Sequence, residues 1–273
     1  MKKAKWLMSL LAVSTLALAA CGNNTMKETE DKELNALEQI QQEGKMTVGI
    51  MGTYAPYNFL NKNKEYDGFD VDIAKELAER MDVEAEFVAQ DFSGLIPGLQ
   101  KDKFDILVSQ VTITEERQKQ IDFTEPYITN QVKVIVKEDN SDIQSVNDFP
   151  GKTIGVGLGT NDETYLRTEL MPEVGDFKIN TYDDVITTLK DLDAGRIDAT
   201  INNTYALKPI IEENGYAVKA VGEAIKSDKA AVAVKKGNTE LVDALNTALE
   251  EMKADGTYEE IFVKWFDEAP PAE

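Results

Sequence analysis

Histidine is absent from this chain of 273 residues, and cysteine occurs once, at Cys21. Those absences exclude Ser-His and Cys-His nucleophilic machinery and a zinc site built from His and Cys. Basic residues are also scarce, with 29 Lys and Arg against 50 Asp and Glu, for a net charge of −21. A surface this acidic argues against nucleic acid and against a grip on anionic lipid. Long apolar runs are missing too. The longest, from Leu7 to Ala20, is short for a membrane span. With so many acids, carboxylate-pair chemistry stays open, but no pair has a placement that argues for it.

What is present begins with that run. Lys2, Lys3 and Lys5 form a basic head before it, the pattern of a secretory signal over residues 1–20. Removing the three lysines leaves the mature chain more acidic still. Leu18-Ala19-Ala20-Cys21 resembles the lipobox of bacterial lipoproteins, which implies lipidation at Cys21. Two acyl chains hold a protein at a membrane where one does not. The segment Gly22 to Asp31 is polar and lacks aromatics, so it reads as a tether, with a short helix to follow before residue 45.

From there the chain alternates apolar runs of strand character with helical spacing. MTVGI, VEAEFVA and FDILVS read as strands, and GTYAPYNF, after the first, as a loop. Between the first two lies a helix over Asp70–Met81, with Ile73, Leu77 and Met81 on one face. The alternation restarts with VKVIVK, Lys152–Val156, KINTY, DATIN and AAVAVK, separated by helices near Thr160, over Val185–Ala194 and over Leu207–Glu213. A last helix, Thr239–Lys253, closes on TYEEIFVKWF. Two successive α/β sets predict two lobes of ordinary domain size.

Two stretches imitate known sites. GVGLGTND follows a strand as a dinucleotide loop does, but Thr160 stands where the third glycine belongs. Its glycines and helix-start amides still favour an anion. NKNKEYDGFD carries part of a calcium loop, but Ala74 occupies the twelfth position, so a hairpin turn is expected. Neither a cofactor nor a metal is expected.

SQVTITEER, residues 109–117, places an amide and three hydroxyls ahead of one arginine. It reads either as a polar strand end with Arg117 on the surface of a short helix, or as a cradle for a carboxylate.

In order, GTYAPYNF, EYDGFDVDIAKELAERM, the run from DFSGL to FTEPY, GKTIGVGLGTN, DAGRIDA and ALEEMKADGTYEEIFVKWF resemble the extracellular solute-binding proteins of polar amino-acid ABC importers. The resemblance runs from Met46 to Phe266. QVTIT-ER, GVGLGTN and the RTEL–TYDD region are most similar to the cystine-binding branch. The resemblance implies a type II periplasmic-binding-protein-like fold, two α/β lobes joined by two crossing strands with a ligand cleft between. It puts lobe one at 45–130 plus 231–266, lobe two at 131–230 and a tail at 267–273, with crossings near Ile128–Val132 and Ala230–Val232.

It also implies roles. Arg117 pairs with the ligand carboxylate through its planar fork. Thr112 contacts the same head group, and Ser109 and Gln110 are the cleft residues that precede it, Gln110 offering its backbone carbonyl. Thr160 and Asn161 reach the carboxylate from lobe two, and Tyr54 and Phe92 flank the ligand side chain. Two positions depart from the pattern: many relatives carry acids where this chain has Met51 and Asn203, and those acids pair with an ammonium. Asp162 and Glu163 are acids close enough in sequence to replace them; otherwise the ligand is not an ordinary α-amino acid. The expected partners are a small amino acid, ABC permease subunits and the membrane through the lipid anchor, with no nucleic acid and a monomeric chain. The competing class is a same-fold dehydratase or lyase.

Overall fold

The computed structural model describes residues 34–271; the signal, Cys21 and the segment to Asp31 lie outside them. The first element, α1 (Ala36–Glu43), starts at a capping box. The Glu38 amide donates to Asn35 Oδ1, and the Asn35 amide to Glu38 Oε2, both at 2.9 Å. Then come β1 (Lys45–Ile50), β2 (Thr53–Tyr54), β3 (Asn58–Leu60), β4 (Tyr66–Asp67), α2 (Phe69–Arg80), β5 (Glu84–Ala89), α3 (Phe92–Gln100), β6 (Ile106–Leu107) and α4 (Glu115–Gln118). The 17-residue β7 (Ile121–Lys137) leads to β8 (Thr153–Gly157), α5 (Asn161–Tyr165), α6 (Met171–Val174), β9 (Lys178–Tyr182), α7 (Val185–Asp193), β10 (Ala199–Asn203) and α8 (Thr204–Asn214). The 18-residue β11 (Val218–Lys235), α9 (Thr239–Asp255) and α10 (Thr257–Phe266) complete the described chain.

Eight strands form one sheet in the order β5-β1-β6-β11-β7-β10-β8-β9, and β2, β3 and β4 form a small second sheet. β1 is parallel to β5 and β6, and β8 to β9 and β10. Parallel neighbours need crossovers, which the helices supply. β7 and β11 are antiparallel to each other. At one end Ala233 of β11 faces Leu107 of β6; at the other, Val136 of β7 faces Ala199 of β10. A strand of 17 residues at ~3.3 Å each spans ~55 Å, too long for one small core. The two strands therefore run through both halves, and the chain is an α/β fold of two lobes joined by two crossing strands.

The largest apolar set runs through both halves, joining Val48, Ile73 and Leu77 to Leu189 and Leu192, and each half also buries a smaller set of its own. Val134, Val136, Ile154, Val156, Leu166 and Ile201 pack together in one, and Leu95, Leu99, Phe104 and Leu107 in the other. The C-terminal α10 returns to α2, where Phe262 meets Phe69 edge-on with centroids 5.7 Å apart. It also reaches α8, where Phe266 lies 4.6 Å from Tyr205. Among the described residues no helix is long and apolar enough to cross a membrane.

The structure differs from the sequence expectations in three places. FDILVS is ordered as a strand only at Ile106–Leu107. Asp105 Oδ2 is taken by the Thr47 amide and hydroxyl at 2.7 and 2.6 Å, and Gln110 turns into the left-handed region at φ 52°, which ends the strand. GTYAPYNF is not a loop but contributes β2 and β3. VKVIVK and AAVAVK are only the ends of the two long strands. Pro126, which sits opposite Ala231 at an irregularity in the ladder, and the polar Ser227-Asp228-Lys229 hid the rest. NKNKEYDG is the hairpin turn between β3 and β4, with Asn61 Oδ1 accepting the Asn63 and Glu65 amides.

Candidate binding site

The first wall of the site is the segment that ends β6. Ser109 is fully buried; its Oγ accepts the Met51 amide at 3.0 Å and the Asn58 amide group at 3.4 Å. Gln110 holds an uncommon left-handed backbone, and its side chain explains how. Nε2 donates to Asp70 Oδ1 at 2.6 Å, and Oε1 accepts Asn130 Nδ2 at 2.7 Å. Asp70 also accepts Asn58 Nδ2 at 2.7 Å and the Tyr127 hydroxyl at 2.9 Å. Burial pushes Asp70 up to about 7 against the pull of those donors, Gln110 foremost. This network ties α2 and the crossing strand β7 to the turn at residue 110.

Arg117 follows on α4, whose start is capped by the Thr114 hydroxyl accepting the Arg117 amide at 3.2 Å. The residue is 7 % exposed, so the surface reading is wrong. Its Nη1 donates to the Thr112 carbonyl at 2.9 Å, and Nη2 reaches the Gly159 carbonyl of the other half at 3.5 Å. The guanidinium lies 5.4 Å from the centre of the Phe92 ring, in cation–π range. Burial lowers its pKa to about 10, with the fields of Asp162 and Asp228 opposing the fall, so it stays charged at neutral pH. Among the described residues no carboxylate lies within ion-pair distance of it. A buried fork with five N–H donors and two carbonyl partners is ready for an anion.

The second wall is the turn from β8 into α5. Thr160 caps the helix, its Oγ1 accepting the Glu163 amide at 3.1 Å and donating to the Gly157 carbonyl at 2.8 Å. Gly159 has φ 74°, and a Cβ there would lie 3.1 Å from Ser93 Cβ of α3, so glycine lets the two walls approach. Asn161 Nδ2 donates to Asp228 Oδ2 at 2.7 Å. Lys226 Nζ pairs with Asp162 Oδ1 at 2.7 Å and with Asp228 Oδ2 at 2.8 Å. Burial alone would lower the Lys226 pKa, but the two carboxylates outweigh it and raise it; burial raises Asp162 against the pull of Lys226. Across the walls, the Tyr54 hydroxyl donates to Asn202 Oδ1 at 2.6 Å.

One cavity lies between the walls. Ten of the residues singled out in the sequence line it: Met51, Tyr54, Phe92, Ser109, Gln110, Thr112, Thr160, Asn161, Asp162 and Asn203. Arg117 is not among the lining residues, but it touches two of them, Thr112 and Phe92. The sequence reading missed Asp228, Asn202, Thr200 and the Tyr182–Asp184 turn, which also line it. TYDD carried a signal for the turn. Asp228 carried none, because its relation to Asn161 spans 67 positions.

The profile of the bacterial extracellular solute-binding proteins, family 3, matches residues 46–268, and the chain belongs to that family. It is 35% identical over 259 residues, 94% of each chain, to the L-cystine-binding protein TcyJ of Escherichia coli. The structure of an ancestral arginine-binding protein bound to arginine superposes with a TM-score of 0.78 at 39% identity, covering 82% of this chain and 98% of that one. An ancestral amino acid-binding protein described as a precursor of cyclohexadienyl dehydratase gives 0.76 at 36% identity, covering 85% and 100%.

Proposed function

We propose that the protein is the extracytoplasmic binding subunit of an ABC importer, capturing a polar amino acid, cystine foremost, and handing it to a permease. The observation that carries this reading is Arg117: a buried guanidinium in hydrogen-bond contact with both walls, with no carboxylate paired to it among the described residues. The ligand carboxylate docks against the remaining N–H donors of Arg117, with Thr112 on one side and Thr160 and Asn161 on the other. Tyr54 and Phe92 enclose the side chain. Met51 adds a polarizable thioether that suits sulfur. Likeness to cystine-binding relatives supports the ligand class.

Capture works by closure of lobe one (45–130 plus 231–266) on lobe two (131–230). Contacts that exist only when the walls meet, such as Arg117 with Gly159 and Tyr54 with Asn202, favour the closed state, and the ligand deepens that preference. A lipid on Cys21 keeps this monomeric protein beside the permease. The test is calorimetry against L-cystine, L-arginine, L-glutamine and L-methionine, followed by heat release and mass spectrometry. Tight binding with the amino acid recovered unchanged is expected. Conversion to a new product would favour the dehydratase-like reading that one structural neighbour suggests.

A further inference from the structure

The acids that would hold an ammonium are missing at Met51 and Asn203, yet the cleft is not short of carboxylate. Asp162 and Asp228 both line it, and Lys226, which backs them, does not. Two carboxylates against one lysine leave one negative charge unanswered at the cavity wall. Arg117 across the cleft is left unanswered in the opposite sense. A zwitterion answers both.

The two acids are not equivalent. Asp162 sits in the first turn of α5, beside the Thr160 and Asn161 groups that face the ligand carboxylate. An anion there repels that carboxylate, and Lys226 Nζ at 2.7 Å offsets it. Asp228 lies on the crossing strand β11, opposite Asn130 of β7. Lys226, two residues before it on the same strand, projects to the same face and reaches both of its oxygens, at 3.1 and 2.8 Å. Asn161 Nδ2 reaches Oδ2 at 2.7 Å. A carboxylate offers about four acceptor sites, and these three contacts leave room for one more donor.

Resting on the amino-acid reading above, we propose that Asp228 accepts the ligand ammonium, with Lys226 and Asn161 as the positioning residues that aim its carboxylate. The chain has thus moved the anionic contact from positions 51 and 203 to the strand shared by both lobes. The ligand is then an α-amino acid, and its des-amino analogue is rejected.

The test uses whichever of L-cystine, L-arginine and L-glutamine wild type binds best. Its partner probe is the matching des-amino compound: 3,3′-dithiodipropionic, 5-guanidinopentanoic or glutaramic acid. Calorimetry on wild type should favour the amino acid by about 30-fold or more. Asp228→Asn should weaken the amino acid by about 30-fold and leave the analogue within about threefold, so that discrimination collapses. Damage to packing alone would weaken both probes alike. Undiminished discrimination in Asp228→Asn overturns the proposal while leaving the amino-acid reading standing. If wild type binds no amino acid, both fall. A second arm works even if that variant fails to fold. Asn203→Asp in wild type should tighten binding by less than about threefold, because the ammonium already has its acceptor. A gain of about a hundredfold would show that it has none.

Discussion

The two walls of the cleft handle charge in opposite ways. On the Ser109–Arg117 wall the polar side chains are committed within their own half: Ser109 to Met51 and Asn58, Gln110 to Asp70 and Asn130. Arg117, with five N–H groups and two carbonyl partners, has donors to spare. On the Thr160–Asp228 wall the charges are paired among themselves through Lys226. The first wall is therefore rigid and carries one fixed demand, for an anion. The second is a cluster with one carboxylate more than its lysine answers, and one substitution can shift that charge. A binding site that has lost its usual acids can compensate on the second wall without disturbing the first.

The sharpest way to break this contrast is Arg117→Ala. On the proposed reading, in which Arg117 pairs with the ligand carboxylate, truncating it should cost about 2–5 kcal/mol of binding by calorimetry. Thermal unfolding should change little, because among the described residues Arg117 makes no ion pair. Unchanged affinity would make the first wall merely structural.

Next comes the rigidity of that wall, which hangs on Asp70. Its folded pKa is raised to about 7 from the ordinary 3.8. The sign follows from linkage: the folded state binds this proton more tightly than the unfolded chain. The group therefore adds stability fully below pH 3.8, and that contribution is lost as pH rises to about 7. The loss amounts to up to about 4 kcal/mol. Urea unfolding of wild type and Asp70→Asn at pH 5 and pH 8 checks this. The stability difference between the two proteins should shift with pH in that direction; a pH-independent difference would refute it.

Two smaller substitutions probe how the walls meet. Phe92→Ala removes the ring beneath Arg117 and should weaken binding by about 1–2 kcal/mol, with little effect on folding. A large stability loss with binding retained would instead make Phe92 a core aromatic. Gly159→Ala places a methyl 3.1 Å from Ser93 Cβ on a left-handed backbone. It should cost about 1 kcal/mol of affinity, and small-angle scattering should show a more open form with ligand.

Much of this was legible in the sequence, for reasons specific to each element. Alternating apolar runs and helical faces, as in Asp70–Met81 and Val185–Ala194, announce α/β halves because burial follows periodicity. Thr160 reads as a helix start because its hydroxyl can cap one. Motif order placed Arg117 and the cavity residues around it. The long strands were not legible, since Pro126 and Ser227-Asp228-Lys229 interrupt the apolar pattern exactly where the lobes exchange strands. Nor were the Asp70–Gln110–Asn130 network and the Asp162–Lys226–Asp228 cluster. Such contacts join residues tens of positions apart, and no local pattern encodes them.

On the function proposed above, the first wall holds the carboxylate of an amino acid. The most direct measurement compares each amino acid with its decarboxylated twin on the wild-type protein: L-cystine with cystamine, and L-arginine with agmatine. Calorimetric binding of at least one amino acid is expected, with a loss of about 30-fold or more for its twin. A twin that binds as well as its parent would contradict it.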